Sequence, residues 1–279
     1  MVSLPHLYPT APFPPLPAPL EVTYAARHLR LRRFGVAYED LLVDFGRRIG
    51  PQLITELLAC CTENLTGPSP TEPFFWALGV GKRIECLLIL ASMEETGDLS
   101  IPLRCSHPSC GRAIELDLTL AELLAVGQEV GEEPISVPLG DEYLVMRRPT
   151  GADQLVWLRE TFQDELMAVQ AMIRTLIVEG PTVAFTPTCI EHIQTVLDHH
   201  DPLVQFGLSV VCPYCQQLAS HDVDLAAFAV QRLRVAQTHL IEVVHRLARH
   251  YHWTEAEILS IPPWRRACYL TLVEREEAR

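Results

Sequence analysis

The sequence has little positive charge. Its 22 lysine and arginine residues stand against 35 aspartate and glutamate residues, and the formal net charge is −13 at pH 7. A protein that binds the nucleic-acid backbone needs a basic face to displace counterions. The charge balance therefore argues against a nucleic-acid-binding protein. Short basic runs do occur, and the one at residues 27–33 is interpreted as a solvated face or a partner contact.

The sequence also lacks the segments that direct a chain to or through a membrane. No basic stretch followed by an apolar one is found near the N-terminus, so no secretion signal is expected. No apolar run reaches the roughly 18–20 residues that span a bilayer. We therefore expect a chain that is cytoplasmic at synthesis. In that reducing compartment, nine cysteines predict free thiols or a metal site rather than disulfides.

Signatures of catalysis are absent as well. The chain has no His-Glu-x-x-His motif, no nucleophile elbow and no complete phosphate-binding loop. Two clusters, "DHHDP" at 198–202 and "SHDVD" at 220–224, are the only basis for a metal-dependent hydrolase. The first lies at a predicted helix end, where histidines serve as C-terminal charges. We expect a non-enzymatic protein without a small-molecule substrate.

Apolar residues recur at three- and four-residue steps through much of the chain, which predicts helices. The predicted helical segments are 36–64 (divided at Gly50–Pro51), 74–94, 151–180, 187–200 and 224–252. Capping boxes are predicted at two helix starts, Thr150 with Asp153 and Thr254 with Glu257. Short strands are expected at "DLSIPLRC" and on both sides of the turn "LGDE".

These patterns predict a mainly α fold with a small β element of zinc-ribbon type (α+β). A long C-terminal amphipathic helix followed by two short helices completes it. The predicted regions are a proline-rich extended arm at 1–20, an N-terminal helical region at 21–94, a zinc-knuckle region with a helical insertion at 95–223, and a C-terminal helical region at 224–279.

The clearest chemical signal is a pair of cysteine segments, "CSHPSCGRAIELDLTLAELL" and "CPYCQQLASHDVDLAAFAV". Each follows an apolar, strand-like run and precedes an acidic-apolar stretch and a helix, so the two resemble an internal repeat. Two such knuckles, each giving two thiolates, make a closed tetrahedral zinc site. The predicted ligands are Cys105, Cys110, Cys212 and Cys215.

Three alternatives to this zinc site stay open. Cys212 and Cys215 form a Cys-x-x-Cys pair, which also occurs in thiol-redox proteins, although the strand expected after Cys215 is not the helix that such a site needs. In a second alternative, the two knuckles are degenerate and hold no metal. In a third, His107 replaces one cysteine as a ligand.

Four segments occur together in one order: "CSHPSCGRAIELDL", "RRPTGADQL", "DPLVQFGLSVVCPYC" and "LIEVVHRLARHYHWTEAEILSIPPWRRACYLTLV". With them the chain resembles the family of the T-even phage baseplate protein of hub-assembly type. Members of that family occur in phage tails and in phage-tail-like contractile injection systems. The resemblance covers 95–279 and is most specific toward the C-terminus, whereas 21–94 match loosely and 1–20 do not match.

The resemblance implies a zinc knuckle at the same four cysteines. It also implies a structural or chaperone-like role in assembling a baseplate or hub, with baseplate, hub or spike proteins as partners. Such a protein either leaves after assembly or becomes part of the phage-tail-like particle. The chain departs from the family in two places: four residues rather than two separate Cys105 from Cys110, and no glycine follows Cys215.

Interfaces between proteins favour tryptophan, tyrosine and arginine at their centres. The candidate partner-binding residues are Trp253, Trp264, Arg265 and Tyr269. In the alternative interpretation, Trp253 and Tyr269 only hold the terminal helices together. A different function also stays open, a zinc-ribbon adaptor that binds nucleic acid or another protein outside a tail machine; the cysteine pairs favour it and the net charge opposes it.

Overall fold

The computed structural model describes residues 8–93, 99–128 and 134–278. About half of these residues are helical and 19% lie in strands, which form four small antiparallel sheets. The prediction of a mainly α fold with one small β element is therefore wrong, because the chain is an α+β mixture. The strands are only three to six residues long, too short for their alternation to stand out beside the helical pattern.

The described residues contain ten strands and eleven α-helices. The strands are β1 Thr10–Pro12, β2 Leu29–Arg32, β3 Thr62–Asn64, β4 Leu99–Arg104, β5 Ala113–Leu118, β6 Ile135–Leu139, β7 Glu142–Met146, β8 Ile177–Glu179, β9 Phe206–Val211 and β10 Leu218–Val223. The helices are α1 Ala18–Glu21, α2 Pro51–Cys61, α3 Glu72–Ala77, α4 Val80–Ser92, α5 Leu120–Gln128, α6 Gly151–Trp157, α7 Glu165–Leu176, α8 Pro187–His200, α9 Leu225–Tyr251, α10 Glu255–Ser260 and α11 Pro263–Glu277.

The chain divides into two compact units. The first unit consists of 1–72, 86–97 and 229–279, and the second consists of 73–85 and 98–228. Three of the boundaries fall inside α3, α4 and α9. The units divide the chain differently from the four regions delimited in the sequence, because residues far apart along the chain come together within each unit.

The same order of elements occurs twice along the chain, with both hairpins in the second unit. The antiparallel pair β4–β5 precedes α5, and the antiparallel pair β9–β10 precedes α9. This order confirms the internal repeat predicted from the two cysteine segments, and it includes the strand predicted at "DLSIPLRC". Each hairpin turns at its cysteines.

A three-stranded sheet, in the order β6-β7-β8, forms the apolar core of the second unit with α7 and α8. The pair β6–β7 confirms the two strands predicted around the turn "LGDE". Buried residues alternate along both strands, as expected for a sheet with one face covered. They pack against buried residues of the two helices; the set is Ile135, Val137, Leu144, Met146, Ile173, Leu176, Ile190 and Ile193.

In the first unit, β2 lies between β1 and β3. Leu29 and Leu31 of β2 are fully buried, which is the period of two that places alternate residues on one face of a strand. Arg32 of β2 is buried as well, so the interpretation of 27–33 as a solvated basic run is wrong at this residue. The predicted arm at 1–20 is described from residue 8 onward, where it contains β1 and the buried Phe13; its first seven residues lie outside the described part.

The helix predicted over 36–64 is wrong in its first half. Only α2 is an α-helix, and Tyr38–Leu42 forms a short 3-10 helix. The buried Asp40 explains the difference, since its carboxylate accepts the backbone N–H groups of Val36 at 2.8 Å and Ala37 at 2.9 Å. Such a local bond offers the backbone an alternative to the α-helix.

Two other helical segments are each divided. The segment predicted at 151–180 forms α6, α7 and the short strand β8, and Asp164 starts α7 by accepting the N–H of Met167. The segment predicted at 74–94 contains α3 and α4, within the described residues. By contrast, α8 matches its predicted bounds, α9 matches within one residue, and both capping boxes are confirmed.

None of the helices in the described ranges combines the length and the apolar character needed to cross a membrane. The longest helix, α9, is amphipathic. One stripe of it is buried, with Leu240, Val243, Val244 and Leu247 packed against Ile258 of α10. This packing gives the C-terminal part of the first unit its core.

Asp40 and Arg32 form a buried ion pair in the first unit. The distance from Arg32 Nη2 to Asp40 Oδ1 is 2.7 Å, and both side chains are almost inaccessible to water. We expect Asp40→Asn to lower the free energy of unfolding by about 3–5 kcal/mol, because it leaves the Arg32 charge buried without a counter-charge. Urea denaturation measures this change.

Asp44→Asn is the matched control for this substitution. Asp44 lies in the same segment, is more than half exposed and pairs with Arg47 at 3.3 Å. An exposed pair contributes less than about 1 kcal/mol, so the control stays close to the unchanged protein. Equal losses of stability in the two variants would contradict the role assigned to Asp40.

Candidate metal centre

The four predicted ligands lie at the turns of the two hairpins in the second unit. Cys105 follows β4 directly, and Cys212 follows β9 directly. In each hairpin, the N–H of this first cysteine donates across the turn: Cys105 to the carbonyl of Arg112 at 2.9 Å, and Cys212 to the carbonyl of Gln217 at 3.0 Å. The strand pairing thus fixes the first cysteine of each pair.

The second cysteine of each pair is held by a tight turn. The N–H groups of Cys110 and Gly111 both donate to the carbonyl of His107, at 2.9 and 3.3 Å. In the other hairpin, the N–H of Gln216 donates to the carbonyl of Cys212 at 2.8 Å. The carbonyl of His107 therefore plays the same part in the first turn as the carbonyl of Cys212 in the second. Although four residues separate Cys105 from Cys110, the first hairpin ends in the same kind of turn as the second.

The residue after each turn has a left-handed backbone. Gly111 has φ +57° and Gln216 has φ +58°. This region is open to glycine at no steric cost and is uncommon for other residue types. The missing glycine after Cys215 therefore leaves the geometry of the turn unchanged, at the expense of a strained Gln216.

The four sulfur atoms converge. The Sγ atoms of Cys105 and Cys215 are 3.7 Å apart, those of Cys110 and Cys212 are 3.8 Å apart, and all four lie within 4.8 Å of one another. A tetrahedron of sulfurs with metal–sulfur bonds of about 2.3 Å has edges of about 3.8 Å. The four cysteines thus form a group that can hold one metal ion.

The surroundings of the four sulfurs are apolar. Cys212 is fully buried and Cys105 nearly so, and Ile114 and Leu103 pack against them. A cationic side chain, Arg112, lies over the ring of Tyr214 at the second turn, 4.8 Å from its centroid.

The surroundings give the cysteine thiols different pKa values. For Cys212, burial raises the pKa, but the backbone N–H groups of Cys215 and Tyr214 outweigh it and lower the pKa to about 7. For Cys105, a backbone bond at His107 lowers the pKa, but burial and the neighbouring thiols raise it to about 12. A metal ion takes all four sulfurs as thiolates, so its binding releases protons.

The structure separates some of the alternatives. His107 is exposed, and its Nδ1 lies 2.8 Å from the hydroxyl of Ser109; its ring does not belong to the group of four. Cys212 and Cys215 are both free thiols, and each lies close to a sulfur of the other hairpin. That arrangement is typical of a metal site rather than of an isolated redox pair.

A second group of possible ligands lies in the first unit and was missed in the sequence. It consists of Asp40, Cys60 and Cys61. Arg32 already lies among them, since its Nη2 donates to Asp40 Oδ1 at 2.7 Å and to the carbonyl of Cys60 at 2.9 Å. The guanidinium thus supplies the positive charge of this group. An alternation of leucine and arginine in 29–32 was the signal that could have revealed it.

The clusters "DHHDP" and "SHDVD" do not meet in a metal-binding group within the described ranges. His199 and His200 lie in the last turn of α8, as the sequence predicted for C-terminal charges. His221 and Asp222 lie in β10, where they pair with Leu208 and Gly207 of β9.

The predicted partner-binding residues fall into two pairs. Trp253 and Tyr269 pack against the core of α9 and α10, with their ring centroids 5.1 Å apart. Tyr251 stacks on Trp253 at 4.5 Å and completes an aromatic cluster inside the unit. Trp264, by contrast, is 66% exposed and lies beside the exposed Arg265 on α11.

Comparison with protein-family models, with curated proteins and with solved structures finds no match. The resemblance to the baseplate family therefore stays a prediction from the four segments quoted above.

The left-handed residues of the two turns give a direct test of the knuckle geometry. We expect Gln216→Gly to raise the free energy of unfolding by about 1 kcal/mol, because glycine adopts the same φ without strain. Gly111→Ala is expected to lower it by about 1 kcal/mol. An added methyl group at Gly111 meets no neighbour within 4 Å, so the loss would come from the backbone alone.

The adjacent Gln217→Gly serves as the control, since Gln217 does not have a positive φ. Glycine there adds only chain entropy to the unfolded state and is expected to destabilise by about 0.5–1 kcal/mol. Urea denaturation of the metal-loaded protein measures all three variants. A loss of stability in Gln216→Gly as large as that in Gln217→Gly would rule out the strained turn.

Proposed function

We propose that the protein is a non-enzymatic structural or assembly component of the baseplate or hub of a contractile, phage-tail-like injection system, stabilised by a structural zinc ion. Cys105, Cys110, Cys212 and Cys215 hold the ion. The closed set of four sulfurs at the turns of the two hairpins supports the structural metal ion, and the order of the four family-like segments supports the assembly role.

Zinc is the metal that best fits these donors. Thiolates are soft ligands, and a tetrahedral set of four sulfurs is typical of structural zinc, with iron as the other metal found in such sites. Four protein ligands leave no position for water or substrate, so the ion has no catalytic role. It supplies charge neutralisation for the thiolates and a cross-link between the hairpins.

The cross-link acts over a long loop. The sulfur contacts join residues 102 and 110 positions apart. Holding the ends of so long a loop together removes much of the entropy of the unfolded chain. The binding free energy of the metal becomes folding free energy, because the site does not exist in the unfolded state.

An assembly role is supported by the order of the four family-like segments and by the exposed side of α11. Trp264 and Arg265 are residue types that often form the centre of an interface, and both are exposed. Trp253 and Tyr269 contribute differently: they fix α10 and α11 against α9, so that this side is presented as a rigid surface.

We expect the protein to be purified with one zinc ion per chain. Cys212→Ser is expected to lose the metal and to lower the free energy of unfolding by several kcal/mol, since a ligand of a structural site is removed. Elemental analysis and thermal denaturation measure the two effects.

Cys268→Ser is the matched control, because Cys268 is an exposed free thiol outside the group of four. It should keep the full metal content and the stability of the unchanged protein. Retention of one zinc by Cys212→Ser, or loss of it by Cys268→Ser, would contradict the assignment of ligands.

For the assembly role, we expect the tagged protein to be isolated from its own cells together with baseplate, hub or spike proteins. Trp264→Ala should reduce that recovery at least tenfold, the usual effect of removing an interface centre of about 2 kcal/mol. Its stability should be unchanged, because the side chain is exposed.

Tyr143→Ala is the control for this experiment, since Tyr143 is an aromatic residue of the second unit with 62% exposure. It should leave the recovery unchanged. Assembly of normal particles after deletion of the gene would contradict the proposed role. A shift of nucleic acid in a low-salt gel would instead favour the zinc-ribbon adaptor.

A further inference from the structure

A cavity of about 410 Å³ lies in the first unit, between the segment 36–39 and the end of α10 with the start of α11. Its volume is within the range of roughly 300–1,000 Å³ that is usual for small-molecule sites. The walls are mostly apolar and include Leu259, Ile261 and Pro262. An apolar cavity with few polar groups is the usual form of a ligand site.

Arg266 also lines this cavity, and it is only 3% exposed. Its Nη2 donates to the carbonyl of Val36 at 2.5 Å. Its Nε and Nη1 atoms are buried and have no hydrogen-bond partner. Arginine has five N–H donors, so most of this donor capacity is unused.

Arg266 also lacks a counter-charge. Within the described part of the chain it forms no ion pair. Asp40 is the buried carboxylate of this region, but it already accepts from Arg32 and from the N–H groups of Val36 and Ala37. Burial lowers the pKa of Arg266, and the influence of Tyr8 and Asp40 opposes this only in part.

A buried cation without a partner is unfavourable by several kcal/mol, and an anion in the cavity removes that cost. A carboxylate matches a guanidinium well, since two oxygens accept two parallel N–H bonds. One guanidinium balances a single negative charge, and the exposed Glu39 also lines the cavity. A monoanion with an apolar body therefore fits better than a phosphate.

We infer that this cavity binds a monocarboxylate, with its carboxylate on Arg266 and its apolar body against Leu259, Ile261 and Pro262. Nothing in the metal centre or in the assembly role is needed for this site. The same chemistry is offered by a free aliphatic acid and by the C-terminal carboxylate of an apolar peptide.

The test compares matched probes on the full-length, metal-loaded protein. Hexanoate is expected to bind saturably in calorimetry and to raise the midpoint of thermal unfolding. Hexanamide, its neutral counterpart, is expected to bind at least roughly tenfold more weakly, because a charge-assisted hydrogen bond is lost. In the second arm, a short apolar peptide with a free C-terminus is compared with its amidated form. If hexanoate binds more tightly than the free-C-terminus peptide, the natural ligand is a free aliphatic acid; if the peptide binds more tightly, the ligand is the C-terminus of an apolar peptide.

Three variants locate the site. Arg266→Met should remove the preference for hexanoate over hexanamide. Ala256 is exposed and lines the cavity. Ala256→Phe should block the binding of both probes while leaving Arg266 in place. This variant tests the location of the site even if Arg266→Met does not fold. Glu39→Gln should strengthen hexanoate binding a few-fold without changing hexanamide binding, because a like charge is removed.

Equal binding of the charged and neutral probes in both arms would overturn the inference. Unchanged hexanoate binding in Ala256→Phe would do the same, since the ligand would then lie elsewhere.

Discussion

The convergence of four sulfur atoms is the constraint on which the organisation of the second unit depends. Each hairpin alone is a two-stranded ribbon of six-residue strands, and an isolated hairpin is at best marginally stable in water. The two turns bring their sulfurs to 3.7 and 3.8 Å. An ion bound there joins two ribbons whose segments are separated in sequence by a helical and β insertion, so the metal and the fold are coupled.

Buried charge organises the first unit in a different way. Both carboxylate oxygens of Asp40 accept hydrogen bonds. Oδ1 accepts from Arg32, and Oδ2 accepts from the backbone N–H groups of Val36 and Ala37. Arg266 lies nearby with donors that remain unused. The contrast is physically informative, because a satisfied buried pair fixes local structure, whereas an unsatisfied buried cation carries a free-energy cost that an anionic ligand can remove.

Periodicity and spacing in the sequence predicted the metal group, the repeat of hairpin and helix, α8, α9 and the capping boxes. These features depend on local patterns of many residues or on a distinctive residue type. The β1–β2–β3 sheet was missed because its strands are three or four residues long and β2 contains Arg30 and Arg32. The break at Gly50–Pro51 was predicted, but the short 3-10 helix at Tyr38–Leu42 was not, because Asp40 acts through its side chain. The role of Arg266 depends on residues about 230 positions away.

The most direct test of the central claim is X-ray absorption spectroscopy at the zinc edge on the protein as purified. Our account predicts a single shell of four sulfur neighbours at about 2.3 Å, with no nitrogen or oxygen neighbour. A shell that mixes sulfur with nitrogen or oxygen, or a protein that is stably folded with no metal bound, would contradict it.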